Sequence, residues 1–162
     1  MTQPPVIEWL TAERGRLLRF CARYLRDPRD AEDAVSELTQ RLLRNATDVD
    51  DAATFVLTAA RNLCLNRLRD AKKRADDTHL SDAHFVAQTG PLTRLVRAER
   101  VADLRDAMAQ LDASTRELLE LRYGEDLSRE SIATITGLPQ SVVKSRLYEG
   151  LEKLRERLGR GE

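Results

Sequence analysis

The sequence predicts an all-α fold of two small helical domains joined by a linker, and three observations predict it. Apolar residues recur at helical spacing along most of the 162 residues, and no stretch shows convincing strand alternation. A segment over about residues 76–91 breaks that periodicity. It mixes charge with His79, His84 and scattered apolar residues and ends at Gly90-Pro91, as a linker does. Beyond it lies a helix-turn-helix pattern. The expected divisions are therefore 1–75, 76–91 and 92–162.

In the first block, one helix is expected over about residues 7–24, with Trp9, Leu10, Leu17, Leu18, Phe20 and Cys21 on its apolar side. Asp27-Pro28 breaks it. A second helix is expected over about 30–44, carrying Ala34, Val35, Leu38, Leu42 and Leu43. A polar loop, 45–51, leads to a third, long helix over about 52–74. In the second block, helices are expected over about 92–111 and 114–123, followed by the two helices of the helix-turn-helix. The last should carry Val143, Leu147, Leu151, Leu154 and Leu158 on one face. Each core is expected to be small, so that partner binding would matter to stability.

The helix-turn-helix rests on particular residues in Leu127–Leu147. Ser128 is an N-cap whose hydroxyl takes a free backbone N–H. Ala133 is the small residue a tight helix crossing needs. Gly137 ends the first helix, because a positive φ costs glycine nothing. Pro139 suits the first turn of the second helix. Such a unit sets its second helix in the DNA major groove. Ser141, Val142 and Ser145 point away from the apolar face, where they would touch base edges. Lys144 and Arg146 flank them for phosphate or guanine, and Gln140 lies nearer the apolar side. Glu149 and Glu152 continue the outward face, so only the N-terminal part of this helix suits DNA.

Composition narrows the function. Charged residues make up 33% and aromatics 4%, and 27 basic side chains balance 27 acidic ones. Zero net charge excludes a generic nucleic-acid coat, so DNA contact must come from local patches. Cys21 and Cys64 lie in apolar stretches without metal-ligand spacing to His79 or His84, and read as buried small hydrophobes in a reducing compartment. Met1-Thr2-Gln3-Pro4-Pro5 lacks the features of a signal peptide, and no apolar run approaches a membrane span. The expected location is the cytoplasm, with no membrane insertion.

Two charged surfaces are expected in the first block. Asn62, Asn66, Arg69 and Lys73 share one stripe of the third helix, with Arg61 beside it. Asparagine amides donate to and accept from base edges, and the basic groups attract phosphate. The same residues would also suit an ordinary solvated helix end, with cations complementing the C-terminal dipole. Asp27, Asp30, Glu32, Asp33 and Glu37 crowd the start of the second helix. Acidic residues favour a helix N-terminus, would repel DNA, and suit a basic protein partner. An acidic face and a basic face in one block suggest an adaptor between protein and DNA.

These patterns resemble the extracytoplasmic-function sigma factors, the smallest class of the bacterial sigma-70 initiation factors. Asp30-Ala31-Glu32-Asp33-Ala34-Val35-Ser36-Glu37 is similar to the family's D-A-E-D-x-V-Q-E. Phe55-Val56-Leu57 with Ala60-Arg61-Asn62-Leu63 is similar to W-L-x-x-I-A-R-N-L. Val143-Lys144-Ser145-Arg146-Leu147 and Leu151-Glu152-Lys153-Leu154-Arg155 match V-K-S-R-L and the closing E-K-L-R signature. The chain departs from the pattern at Ser36 (glutamine in the family), Thr39 and Leu43 (aromatic), Phe55 (tryptophan), Asn66 (aspartate), Ser131 (acidic) and Val142 (threonine). Val142 offers a methyl group to thymine but no hydroxyl.

The resemblance implies sigma region 2, a linker and sigma region 4. Asp30, Glu32, Asp33, Ser36 and Glu37 would dock on the β′ clamp helices of core RNA polymerase, and region 4 would sit near the β flap. The recognition helix would read the −35 element of promoter DNA. The 45–51 loop, with Asn45, Thr47 and Asp48, would receive a flipped −10 base. Asn62, Asn66, Arg69 and Lys73 would hold the adjacent strand. Few aromatics are available for stacking, and Phe55 reads as core. An anti-sigma factor is the expected controlling partner. No catalytic group, metal site or cofactor is expected, and polymerase would supply the chemistry. Two other readings compete: a free-standing dimeric regulator on a palindromic site, and a sigma-like decoy that binds polymerase without starting transcription.

Overall fold

A computed structural model describes residues 3–45, 48–74 and 98–159. The chain divides into two compact units, Met1–Val86 and Ala87–Glu162. The expected linker falls outside the described residues. Among those residues every regular element is helical.

The first unit contains α1 (Pro5–Ala12), α2 (Arg14–Tyr24), α3 (Pro28–Arg44) and α4 (Ala52–Arg74). The single helix expected over 7–24 is in fact two. Glu13 leaves the helical region at φ −111° and ψ 22°. Its N–H still donates to Trp9 (2.8 Å), and its carbonyl accepts from Leu17 (2.9 Å). Leu10 and Leu17 lie seven residues apart, two helical turns, so the apolar phase is kept across the polar residues of the joint and periodicity does not locate it. Gly15, a weak helix former, lies just beyond. Asp27-Pro28 does more than end the preceding helix: it starts α3. The Asp27 carboxylate accepts from the Arg29 N–H at 2.9 Å, and Pro28 fills the first helical position. Asp51 starts α4, accepting from the Thr54 N–H (3.0 Å) and hydroxyl (2.6 Å).

α4 packs against α1, α2 and α3. Val6, Leu17, Phe20, Val35, Leu38, Val56 and Leu57 are fully buried between them. Cys21 and Cys64 meet in the α2–α4 interface as free, buried thiols. The hydrogen bond that the Cys64 thiol donates to the Cys21 sulfur, and then burial, push the Cys64 thiol far up, so it stays protonated. Leu43, expected on the apolar side of α3, is 48% exposed, because it lies about 100° round the helix from the buried Leu42.

The second unit contains α5 (Ala98–Ala109), α6 (Ala113–Leu119), a π-helical turn (Glu120–Gly124), α7 (Arg129–Thr136) and α8 (Gln140–Gly159). The Asp112 carboxylate caps α6 through the Thr115 N–H at 3.0 Å. The buried Arg116 guanidinium closes the end of α5, donating to the carbonyls of Met108 (3.0 Å), Ala109 (3.1 Å) and Leu111 (2.8 Å). The helix expected over 114–123 widens in its second half: Glu125 N–H donates to Glu120 and Leu127 N–H to Leu121. Leu118, Leu121, Ile132, Ile135 and Val143 form the core. Leu158, expected on the apolar face of α8, is 40% exposed at its last turn.

Candidate nucleic-acid interface

The helix-turn-helix is set by its caps. The Ser128 hydroxyl accepts from the Ser131 N–H at 3.1 Å. Gly137 ends α7 with φ 73° and ψ 12°, its N–H donating to Ala133. Pro139 stands at the cap, one residue before its expected place. Its carbonyl accepts from Val142 (3.0 Å) and Val143 (3.1 Å), and α8 begins at Gln140. Val143 is wholly buried in the angle between the helices.

This packing turns Gln140, Ser141, Lys144 and Ser145 into solvent and leaves Val142 half-buried. Arg146 differs from its expected freedom. It is half-buried, and its Nη1 donates to the Ser114 hydroxyl at 2.5 Å, tying α8 to the start of α6. Tyr148, absent from the expected set, is 67% exposed one turn beyond Lys144. Its sequence signal is an aromatic on the polar face of a helix.

In the first unit, Asn62, Asn66, Arg69 and Lys73 are all exposed along α4, one continuous stripe at the expected spacing. Arg61 and Phe55 are half-buried. In the preceding loop Asp48 is exposed, and the Asn45 amide donates to the Arg41 carbonyl at 3.3 Å as a C-terminal cap of α3. Thr47 lies outside the described residues. Sequence reasoning gave Asp51 no separate role. Its hydrogen bonds from the Thr54 hydroxyl and N–H hold its carboxyl below the usual range, so this end of the loop is committed to starting α4.

The acidic surface divides. Asp30, Glu32, Asp33 and Ser36 are exposed on α3. Glu37 is half-buried and turned toward α4, where Oε2 accepts from Arg67 at 2.6 Å, while Oε1 accepts from Arg41 at 2.8 Å. The Arg67 guanidinium, with Arg41 behind it, holds the Glu37 carboxyl below the usual range. Glu37 therefore already carries two ion pairs within the unit. Spacing along α3 alone gave no sign of Arg67, which lies thirty residues away. Among the described residues no His, Cys, Asp or Glu cluster could hold a metal ion, and no helix is long and apolar enough to cross a membrane.

Residues 9–74 match the family model for sigma-70 region 2, and residues 102–154 match that for sigma-70 region 4. The chain is 29% identical over 143 residues to the ECF RNA polymerase sigma factor SigL of Mycobacterium tuberculosis, covering 86% of this chain and 80% of that protein. It is 26% identical over 161 residues to the ECF RNA polymerase sigma factor SigW of Bacillus subtilis, covering 90% and 84%. The fold is similar to the sigma factor RpoE of Bartonella quintana, solved in complex with the anti-sigma factor NepR. The TM-score is 0.70 at 21% identity, covering 94% of this chain and 95% of that one. CnrH, solved with the cytosolic domain of CnrY, matches with a TM-score of 0.58 at 22% identity, covering 96% and 89%.

Proposed function

The chain belongs to the sigma-70 family as an extracytoplasmic-function sigma factor that serves transcription initiation, and from that premise we propose how its two units divide the work. Within the first unit, residues 9–74 serve as region 2, and within the second, residues 102–154 serve as region 4. The exposed acidic face of α3, through Asp30, Glu32, Asp33 and Ser36, docks on the β′ clamp helices of core RNA polymerase. Region 4 sits near the β flap. Core polymerase supplies all the chemistry.

The observation that carries this reading is the α4 stripe. Asn62, Asn66, Arg69 and Lys73 are exposed together on one side of α4, in the unit that presents the acidic face of α3. Flipping a base costs a few kcal/mol. The 45–51 loop takes the flipped −10 base, and amides and cations on α4 hold the strand. In region 4, Gln140, Ser141, Val142, Lys144 and Ser145 meet the −35 element in the major groove. Arg146 holds α8 in place and reaches phosphate with its remaining donors. The factor acts in the cytoplasm, and its regulator is an anti-sigma factor, as NepR is the anti-sigma factor solved with RpoE of Bartonella quintana.

Run-off transcription from DNA upstream of its own gene, with core polymerase present, tests this. A discrete transcript should require the protein and vanish with Lys144→Ala combined with Ser145→Ala. Binding to core without any transcript would favour the decoy. Binding to a palindrome without polymerase would favour the dimeric regulator.

A further inference from the structure

Glu37 stands apart from its acidic neighbours. Asp30, Glu32 and Asp33 are exposed, whereas both Glu37 carboxylate oxygens are occupied, one by Arg41 on its own helix and one by Arg67 on α4. Arg67 directly follows Asn66 of the exposed stripe, and its side chain is 30% exposed against 42% for Glu37. Ion pairs this open to solvent contribute little to stability. What charge-assisted hydrogen bonds supply is direction, because both partners must keep one geometry. This pair links the helix that carries the acidic face to the helix that carries the stripe.

Resting on the sigma-factor reading above, we propose that Glu37 and Arg67 form a strut holding the polymerase-docking face of α3 in register with the DNA-reading stripe of α4. Glu37 is then a positioning residue rather than a docking contact, and Arg67 serves the stripe without touching DNA. Docking on polymerase fixes α3, and the strut passes that placement to Asn62 and Asn66.

The test uses the full chain, core polymerase and a promoter that the wild-type protein melts, with permanganate reactivity at the −10 element and core affinity read separately. Arg67→Met keeps the aliphatic stem. It should leave core affinity within about twofold and lower melting at saturating core by roughly fivefold. Glu37→Gln should lower melting in the same way, and exchanging the pair (Glu37→Arg with Arg67→Glu) should restore most of it. Urea midpoints of the single variants, unmoved because so open an ion pair adds little stability, separate the strut from a mere loss of stability. If Glu37→Gln lowers core affinity in step with melting, Glu37 docks directly and the strut is overturned. If the exchange fails while the protein stays folded by circular dichroism, Arg67 touches DNA and the strut is again overturned. Unchanged melting in all variants would reduce the pair to a solvated ion pair. Should the wild type melt no promoter, the sigma-factor reading falls, and the strut is judged on the free chain. The side-chain amide resonances of Asn62 and Asn66 should then shift with Glu37→Gln, and fixed resonances would overturn it.

Discussion

At the scale of single residues, several side chains carry more than their position along a helix suggests. The Asp51 carboxyl has its pKa lowered in the fold by its hydrogen bonds from Thr54. An unfolded aspartate titrates at about 3.9. The sign follows: its contribution is fully present above about pH 4 and is lost as pH falls through the lower folded value. Asparagine also caps helices but does not titrate there. Asp51→Asn should therefore keep stability at pH 7 and make its loss on acidification shallower. Trp9 fluorescence measures this in the first unit alone, since Trp9 is the sole tryptophan. Gly150 shows a different constraint. A Cβ there would lie 2.7 Å from Thr115 Cγ2 and 3.0 Å from Leu119 Cδ1, so α8 crosses α6 only because that position has no side chain. Thr115 is β-branched and stiff. Gly150→Val should cost the second unit about 1–3 kcal/mol, seen as a lower urea midpoint in circular dichroism with the Trp9 transition unmoved.

At the scale of elements, helix ends decide where the surfaces proposed to meet DNA lie. Gly137 takes φ 73°, so that α8 leaves α7 at the angle which exposes Ser141, Lys144 and Ser145. Alanine in that conformation costs roughly 1–2 kcal/mol. Gly137→Ala should lower the second unit's stability by that order in urea unfolding, and weaken −35 binding in a footprint at saturating core. The α4 stripe makes a separate prediction. Asn62→Ala and Asn66→Ala each remove a hydrogen-bonding amide worth about 0.5–1.5 kcal/mol. Each should reduce permanganate reactivity at the −10 element several-fold, while core affinity stays unchanged.

At the scale of the whole molecule, charge balance predicts that tight DNA binding needs the partner. With 27 basic and 27 acidic side chains, the chain has no net attraction for duplex DNA. Alone it should bind promoter duplex no better than non-specific proteins do, at roughly micromolar or weaker. Adding core polymerase should bring saturable binding far below that, measured by fluorescence anisotropy at fixed salt. Tight binding by the chain alone would contradict the division of labour proposed above.

Periodicity, caps and breakers are local, and the sequence alone determined what depends on them: an all-α chain, two blocks, the helix-turn-helix with its Ser128 and Gly137 ends, and the stripe at Asn62, Asn66, Arg69 and Lys73. Features set by residues distant along the chain needed the tertiary structure. The joint at Glu13 is not located by spacing, because Leu10 and Leu17 on either side of it keep one helical phase. Leu158 fits the apolar period, yet it is 40% exposed at the last turn of α8. Arg146 is bound to Ser114, and Glu37 to Arg67, across gaps of 32 and 30 residues. Helical spacing reports which side a residue takes on its own helix. Which charge it meets on another is decided only when the helices pack.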